Sequence, residues 1–296
     1  MEKARTHCVY RDNQGRATGR HCDYVNKEYD LEFKKPIDIK ADDWYAMRFS
    51  REVNHPDYAT KELARLMGYY LSEGCIFNEH GKTSGVQFCF NRNEYGYIEE
   101  VKKLLETFKK TNNRVIISNY RPEKNVTDVI LRDKYLAYKL SFLCGQYAKT
   151  KKLHNSVLLW NPKIQLEMIG TYINGDGCCI KTEYHNGSIH MSSASKELIE
   201  QVYLMVLRSN VVSIIQKIER NRDREITPGH KIKDGIQYQI NIGNYYSNKL
   251  DKVSSKIKEP QKSNFHKHLR FIYKDYLISR ITDIKNIEEK QEVLKQ

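Results

Sequence analysis

Leu66-Met67-Gly68-Tyr69-Tyr70-Leu71-Ser72-Glu73-Gly74 and, 103 positions later, Ile169-Gly170-Thr171-Tyr172-Ile173-Asn174-Gly175-Asp176-Gly177 follow one pattern twice. Each stretch is apolar with helical spacing, carries small residues four apart, and ends in a carboxylate followed by glycine. Gly68 and Ser72 share one helix face, as do Thr171 and Gly175. Small side chains at that spacing let two helix backbones approach closely. If the two helices pack on each other, Glu73 and Asp176 meet at their C-terminal ends, where the helix dipole is already negative. Two acids and two such ends repel one another unless a cation lies between them, and carboxylate oxygens with water are what Mg²⁺ prefers.

Each copy is followed by the same succession of patterns. In the first, Leu63, Leu66, Met67, Tyr70 and Leu71 keep helical spacing, with Thr60 as N-cap and Gly74 as C-cap. Strands are expected at 75–78 and 86–92, a helix at 95–111, strands at 114–120 and 125–132, and a helix at 133–144. In the second, a helix at 163–176 precedes strands near 178–183 and 188–193, with Asn186-Gly187 as the hairpin turn. A helix at 195–208, strands at 211–220 and 236–242, and a helix at 244–257 complete it. The result is an α+β fold of two pseudo-symmetric αββαββα repeats, with the two motif helices at their interface.

This arrangement resembles the LAGLIDADG homing endonucleases in their single-chain, two-motif form. The first motif departs from the usual pattern by carrying Glu73 in place of Asp, and the second by carrying Thr171 where glycine is usual. The resemblance implies a saddle of antiparallel sheets over double-stranded DNA and metal-dependent phosphodiester hydrolysis at a long recognition site. It implies that Glu73 and Asp176 are catalytic metal ligands, assisted by the backbone carbonyls of Ser72 and Gly175. Mg²⁺ or Mn²⁺ is the expected cofactor, with Ca²⁺ as a non-catalytic substitute. A lysine is expected near each acid. Intein endonucleases carry a Lys-x-[Ile/Leu]-Pro element about 25 residues before the second acid. Lys151-Lys152-Leu153-His154 stands there, which makes Lys151 the candidate and Lys152 its rival. After the second repeat, Lys256-Ile257-Lys258-Glu259-Pro260 offers Lys256 or Lys258, and Lys258 keeps the Lys-x-Pro spacing. Gln87 is a further catalytic candidate by analogy.

Sequence choice belongs to the outward strand positions, where amides, imidazoles and cations can reach base edges in a major groove. These are Gln87, Asn91 and Arg132 in the first repeat, and Lys181, His190, Gln237, Gln239 and Asn241 in the second. Arg220 and Arg222, in a basic loop, suit phosphates. Any one of them is equally readable as a solvated sheet position.

Composition agrees with an anionic partner. The 296 residues carry a net charge of +13, with 50 Lys and Arg against 37 Asp and Glu, and 40% of them are hydrophobic, enough for a core. No apolar run approaches a membrane span, and charged residues follow Met1. Seven cysteines, of which Cys75, Cys89, Cys144, Cys178 and Cys179 sit in apolar patterns and read as buried thiols, suit a reducing, intracellular setting.

The chain divides into residues 1–55, a first repeat at 56–145, a linker and second repeat at 146–260, and an extension at 261–296. Residues 36–47 and the tail look similar to splicing-domain strands flanking an endonuclease insert in inteins. Met1 and the absence of a closing His-Asn predict that the chain does not splice itself. His7-Cys8 and His21-Cys22 could hold zinc, although adjacent pairs are not a usual finger spacing. A hairpin carrying incidental residues is the other reading. Two alternatives stand beside the nuclease: a maturase assisting group I intron RNA, and a DNA-binding regulator on a retired nuclease fold. Both half-sites lie in one chain, so a monomer is expected.

Overall fold

The computed structural model describes residues 2–5, 30–33, 38–40, 43–110, 112–118, 125–181, 186–220, 225–227, 230–231, 235–243, 246, 249–257 and 270–281. Along the chain, β1 (Glu2–Arg5), β2 (Asp30–Phe33) and β3 (Trp44–Arg48) precede α1 (Lys61–Glu73), β4 (Gly74–Glu79) and β5 (Lys82–Asn91). Next come α2 (Tyr95–Phe108), β6 (Val115–Ser118), β7 (Val126–Leu131), α3 (Lys134–Cys144) and a short 3₁₀ turn (Asn155–Leu159). The second repeat holds α4 (Pro162–Asp176), β8 (Gly177–Lys181), β9 (Asn186–Ser193), α5 (Lys196–Arg208), β10 (Ser213–Arg220), β11 (Glu225–Thr227), β12 (His230–Lys231) and β13 (Gly235–Ile242). Strands β14 (Arg270–Tyr273) and β15 (Tyr276–Arg280) follow. The chain is thus α+β, with antiparallel sheets.

Two compact units are present. One joins residues 1–50 to 264–296, and the other is 51–263. In the first, an antiparallel sheet runs β14-β15-β3-β1-β2, and Ala46, Phe271 and Ile278 form its buried cluster with Trp44 tilted on Phe271. The segments flanking the repeats therefore share one sheet. The His7-Cys8 and His21-Cys22 pairs lie outside the described residues.

The second unit holds two four-stranded sheets of matching order, β4-β5-β7-β6 and β8-β9-β13-β10. Alternation along β5 buries Val86, Phe88 and Phe90 under the helices and turns Gln87, Cys89 and Asn91 outward. In β13, Ile240 and Ile242 are buried in the same way, with Gln239 and Asn241 between them. The repeats superimpose in register: Cys75 faces Gln87 across β4 and β5, and Cys178 faces His190 across β8 and β9, each partner 103 positions on.

Three expectations change. Of the segment expected as a helix at 244–257, Tyr246 is helical and 249–257 is not. Residues 249–257 run in short turns, with Val253 N on Leu250 O and Ile257 N on Ser254 O. The Val253 backbone lies where a Cβ on Gly170 would be. Asn186-Gly187 opens β9 rather than forming its turn, since Asn186 pairs with Lys181. Cys75 and Cys178 are exposed, because each falls on the outward phase of its strand; Cys144 is buried.

Candidate active site

Helices α1 and α4 pack directly on one another along their small residues. A Cβ on Gly68 would collide with Thr171 Oγ1 and Met168 O and lie 2.9 Å from Tyr172 N. One on Gly175 would collide with the Ser72 side chain and lie 3.3 Å from Glu73 Cγ. The Thr171 hydroxyl, which replaces glycine, is 2.8 Å from Arg65 O and stitches the two backbones together. Further along, Arg65 Nη1 meets Glu167 Oε2 at 2.8 Å and Arg65 Nε donates to Glu100 Oε1 at 2.6 Å. Thr60 caps α1 by accepting from Leu63 N, and Asn161 caps α4 ahead of Pro162.

Glu73 and Asp176 are the last residues of their helices. The glycines after them do not adopt the left-handed turn usual at a helix C-terminus: Gly74 has φ −94° and Gly177 φ −87°. Both are glycine because the chain doubles straight back on the helix. A Cβ on Gly74 would stand 2.6 Å from Tyr70 Cα, and one on Gly177 2.7 Å from Ile173 Cα. Each acid is thereby held at a helix-to-strand junction with no loop to loosen it.

No described residue donates a hydrogen bond to either carboxylate or forms an ion pair with it. Glu73 is pushed up to about 7, first by burial and then by the charge of Asp176. Asp176 is pushed up to about 6 by burial, offset by Lys151 and Lys256. Asp176 itself lines the adjoining cleft. The cleft encloses about 170 Å³, and Ser72, Lys151, Asp176, Ser192, Ser193 and Gln237 contribute to its wall.

Two lysines close the helix ends. Lys151, buried, spends all three of its N–H bonds on Tyr70 O (2.7 Å), Leu71 O (3.0 Å) and Gly74 O (2.9 Å). Lys256 donates to Gly175 O and Gly177 O at 2.8 Å each. They satisfy carbonyls that a helix end leaves unpaired and bring positive charge beside the two acids. Burial lowers the Lys151 pKa, against the opposing pull of Asp176. Lys151 follows Glu73 by 78 residues and Lys256 follows Asp176 by 80, a spacing that singles out Lys256. Lys258 lies outside the described residues. Because Lys256 occupies Gly175 O, that carbonyl has one lone pair left for any other partner.

The other candidates scatter. Gln87 donates weakly to Cys89 Sγ at 3.5 Å and does not line the cleft. Asn91 Oδ1 accepts from Asn93 N and Asn125 Nδ2, shaping the turn before α2. Arg132 is paired to Glu79 at 2.7 Å. His190, Gln239 and Asn241 form an outward polar ladder on the second sheet. Ser188 Oγ is 2.9 Å from His190 Nε2, Gln239 Nε2 contacts His190 Nδ1 and is 2.6 Å from Asn241 Oδ1, and Asn241 Nδ2 donates to Gln216 Oε1 at 2.8 Å. Gln237 donates to Ser192 Oγ, and its buried Oε1 has no partner. The side chains of Lys181 and Arg220, and all of Arg222, fall outside the described residues. Ser192 and Ser193 enter the cleft wall without a motif to announce them; only their place 103 positions beyond Cys89 and Phe90 marks them.

A family model described as "LAGLIDADG-like domain" matches residues 60–140 and 163–279, two segments that each contain one of these helices. The chain belongs to the LAGLIDADG-like family. Among curated proteins, the "Uncharacterized protein MJ1054" of Methanocaldococcus jannaschii is 25% identical over 212 residues, covering 69% of this chain and 23% of that protein. The "Iron-sulfur cluster assembly SufBD family protein Rv1461" of Mycobacterium tuberculosis is 27% identical over 140 residues (47% and 16%). A "DNA polymerase" of Thermococcus litoralis is 23% identical over 158 (53% and 8%). The LAGLIDADG-like chain spans less than a quarter of the length of these relatives. Among solved structures, a variant of the homing endonuclease I-DmoI gives a TM-score of 0.45 at 13% identity, covering 69% of this chain and 100% of its own. The homing endonuclease I-WcaI, bound to its DNA recognition sequence, gives 0.41 at 13% (72% and 85%). No helix among the described residues is long and apolar enough to cross a membrane.

Proposed function

We propose that this chain is a site-specific endonuclease that hydrolyses both strands of duplex DNA with a divalent metal. The observation that carries the reading is the pair of helix-end acids, Glu73 and Asp176. No described residue donates to either carboxylate, burial favours the protonation of both, and the charge of Asp176 further favours that of Glu73. Such a donor set fits a hard cation. Only two acids take part, and no group of three or more metal-binding side chains occurs among the described residues, so water and substrate oxygens would complete the shell. Mg²⁺ or Mn²⁺, when bound, would make a water nucleophilic and stabilise the departing oxygen.

The protein's own contribution is placement. The α1–α4 contact fixes the spacing of the acids, and the two lysines keep the helix ends from repelling their own carboxylates. Gln237 Oε1, unpartnered on the cleft wall, offers an acceptor for a water proton. Lys151 and Lys256 act through the carbonyls they hold and are positioning residues. Duplex recognition falls to the outer sheet faces. The second, with His190, Gln239, Asn241 and Gln216, presents hydrogen-bonding groups to base edges. The first exposes Ile116, in phase with Gln87, which suits a thymine methyl. The chain acts as an intracellular monomer, since both acids come from one polypeptide.

The test is incubation with DNA carrying the uninterrupted form of its own insertion locus, with Mg²⁺. Cleavage lost in both Glu73→Gln and Asp176→Asn supports the reading. Duplex binding without cleavage in the parent chain overturns it in favour of a DNA-binding regulator.

A further inference from the structure

Beyond the cleavage reading, and independent of it, the surface of α3 has features that reading does not use. Three large side chains spaced i, i+3, i+7 stand in solvent on one face: Tyr135 is 71% exposed, Tyr138 60% and Phe142 64%. The opposite face of the helix, Leu136, Ala137, Leu140 and Leu143, is buried where α3 packs on β5 and α1. The rings therefore look away from the strand face that bears Gln87 and Asn91. A contiguous row of exposed rings on one helix face marks an interaction surface.

The charge around them is one-sided. From Lys134 to Leu166 the chain contains six lysines and no aspartate or glutamate, in a protein with 37 acids. Asp133, just before the stretch, is buried and spent on capping α3 through Leu136 N. Cations already approach the exposed rings: Lys110 Nζ lies 3.4 Å from the Tyr135 centroid, and Lys139 Nζ lies 5.3 Å from that of Tyr58. His154 stacks on Phe142 with centroids 4.5 Å apart. Lys151 is buried on helix-end carbonyls and Lys152 is paired to Glu197, but Lys134 and Lys139 stand beside the rings. Flat rings at helical intervals beside lysines match a ligand that alternates planar bases with phosphates. A paired duplex hides its bases from such rings; an unpaired strand presents them. We infer that the α3 surface is a second nucleic-acid site, which takes a single strand by stacking bases on Tyr135, Tyr138 and Phe142 with Lys134 and Lys139 on phosphates.

The test uses the full chain and fluorescence anisotropy, with oligo(rU) and oligo(dT) probes of about 15 nucleotides and a random-sequence duplex. Y135A/Y138A/F142A removes only exposed rings, and circular dichroism and Tm confirm that it folds. Each ring that stacks a base is worth at least about fivefold in affinity. The triple variant should therefore weaken strand binding more than tenfold and change duplex binding less than twofold. K134Q/K139Q should flatten the plot of log affinity against log salt by about 1.4 for the strand. Equal loss on both probes points to bases and phosphates as the ligand; a tighter rU complex with the same loss adds ribose hydroxyls to it. E73Q/D176N should bind the strand normally, which separates this site from the acids. Unchanged strand binding by the triple variant overturns the inference. So does loss of strand and duplex in equal measure, or a dimer in sedimentation that the triple variant dissolves while no probe binds.

Discussion

Gly68→Ala is the smallest change that tests the helix contact on which the site is built. The new methyl would fall on Thr171 Oγ1 and Met168 O, and 2.9 Å from Tyr172 N, all attached to the backbone of α4. Met168 O and Tyr172 N are backbone atoms that cannot swing aside, so α1 and α4 must move apart. Overpacking of this kind costs about 1–3 kcal/mol. The parting also stretches the 2.8 Å bond from Thr171 to Arg65 O, about 1 kcal/mol more. Alanine returns about 1 kcal/mol through its better helix propensity. The net loss is about 2 kcal/mol, which in a unit the size of residues 51–263 lowers Tm by about 4–8 °C. Gly96→Ala is the control. It lies in α2 with nothing within 4 Å of its Cβ, and the same substitution should raise Tm slightly there. Scanning calorimetry on both variants decides the matter. If Gly68→Ala melts at or above the parent temperature, the helices do not meet through Gly68 and the juxtaposition of the acids has lost its cause.

The remaining predictions concern the groups around the acids. Glu73 and Asp176 are held up to about 7 and about 6. Their stabilising protonation is complete below the ordinary carboxylate range and is lost as pH rises through 6–7. In metal-free buffer, E73Q/D176N should therefore melt above the parent at pH 8 and match it near pH 5. Added Mg²⁺ or Mn²⁺ should raise the parent's Tm at pH 8 and leave the double variant's unchanged. Lys151→Met removes three buried hydrogen bonds, leaving Tyr70 O only its bond from Gly74 N, and should cost about 3 kcal/mol. Lys256→Met frees only two, nearer solvent, and should cost less; urea midpoints rank them. Asp133→Ala removes the cap of α3 and should cost about 1 kcal/mol by the same assay, with Asp133→Asn retaining most of it.

The helix pairing was legible because its cause is local. Gly68, Ser72, Thr171 and Gly175 announce a close contact by size and spacing alone, and Glu73 and Asp176 follow at a fixed step. The α+β order was legible for the same reason, through the alternation of Val86, Phe88 and Phe90 and of Ile240 and Ile242. Local rules misled where a neighbour distant in sequence decided the conformation. Gly74 looks like a left-handed cap and is instead an extended residue crushed against Tyr70. Residues 249–257 continue a helical apolar spacing, yet they form turns where the Val253 backbone lies on Gly170.

The site itself depends on pairings that local reading does not contain. Lys151 reaches carbonyls 77, 80 and 81 positions back, and Lys256 reaches others 79 and 81 back. The immediate neighbours of each lysine favour Lys258, through Pro260. Comparing distances from the two acids, 78 and 80 residues, points to Lys256, because a duplicated fold returns equivalent groups after equal lengths of chain. The same rule pairs Gln87 with His190 and Cys75 with Cys178, and it shows where the halves have diverged. On the outer faces of the two sheets a thiol and an amide stand opposite an imidazole and a connected ladder of amides. The repeat supplies the symmetry that joins the two acids, and the differences on those faces give the two halves different chemistry.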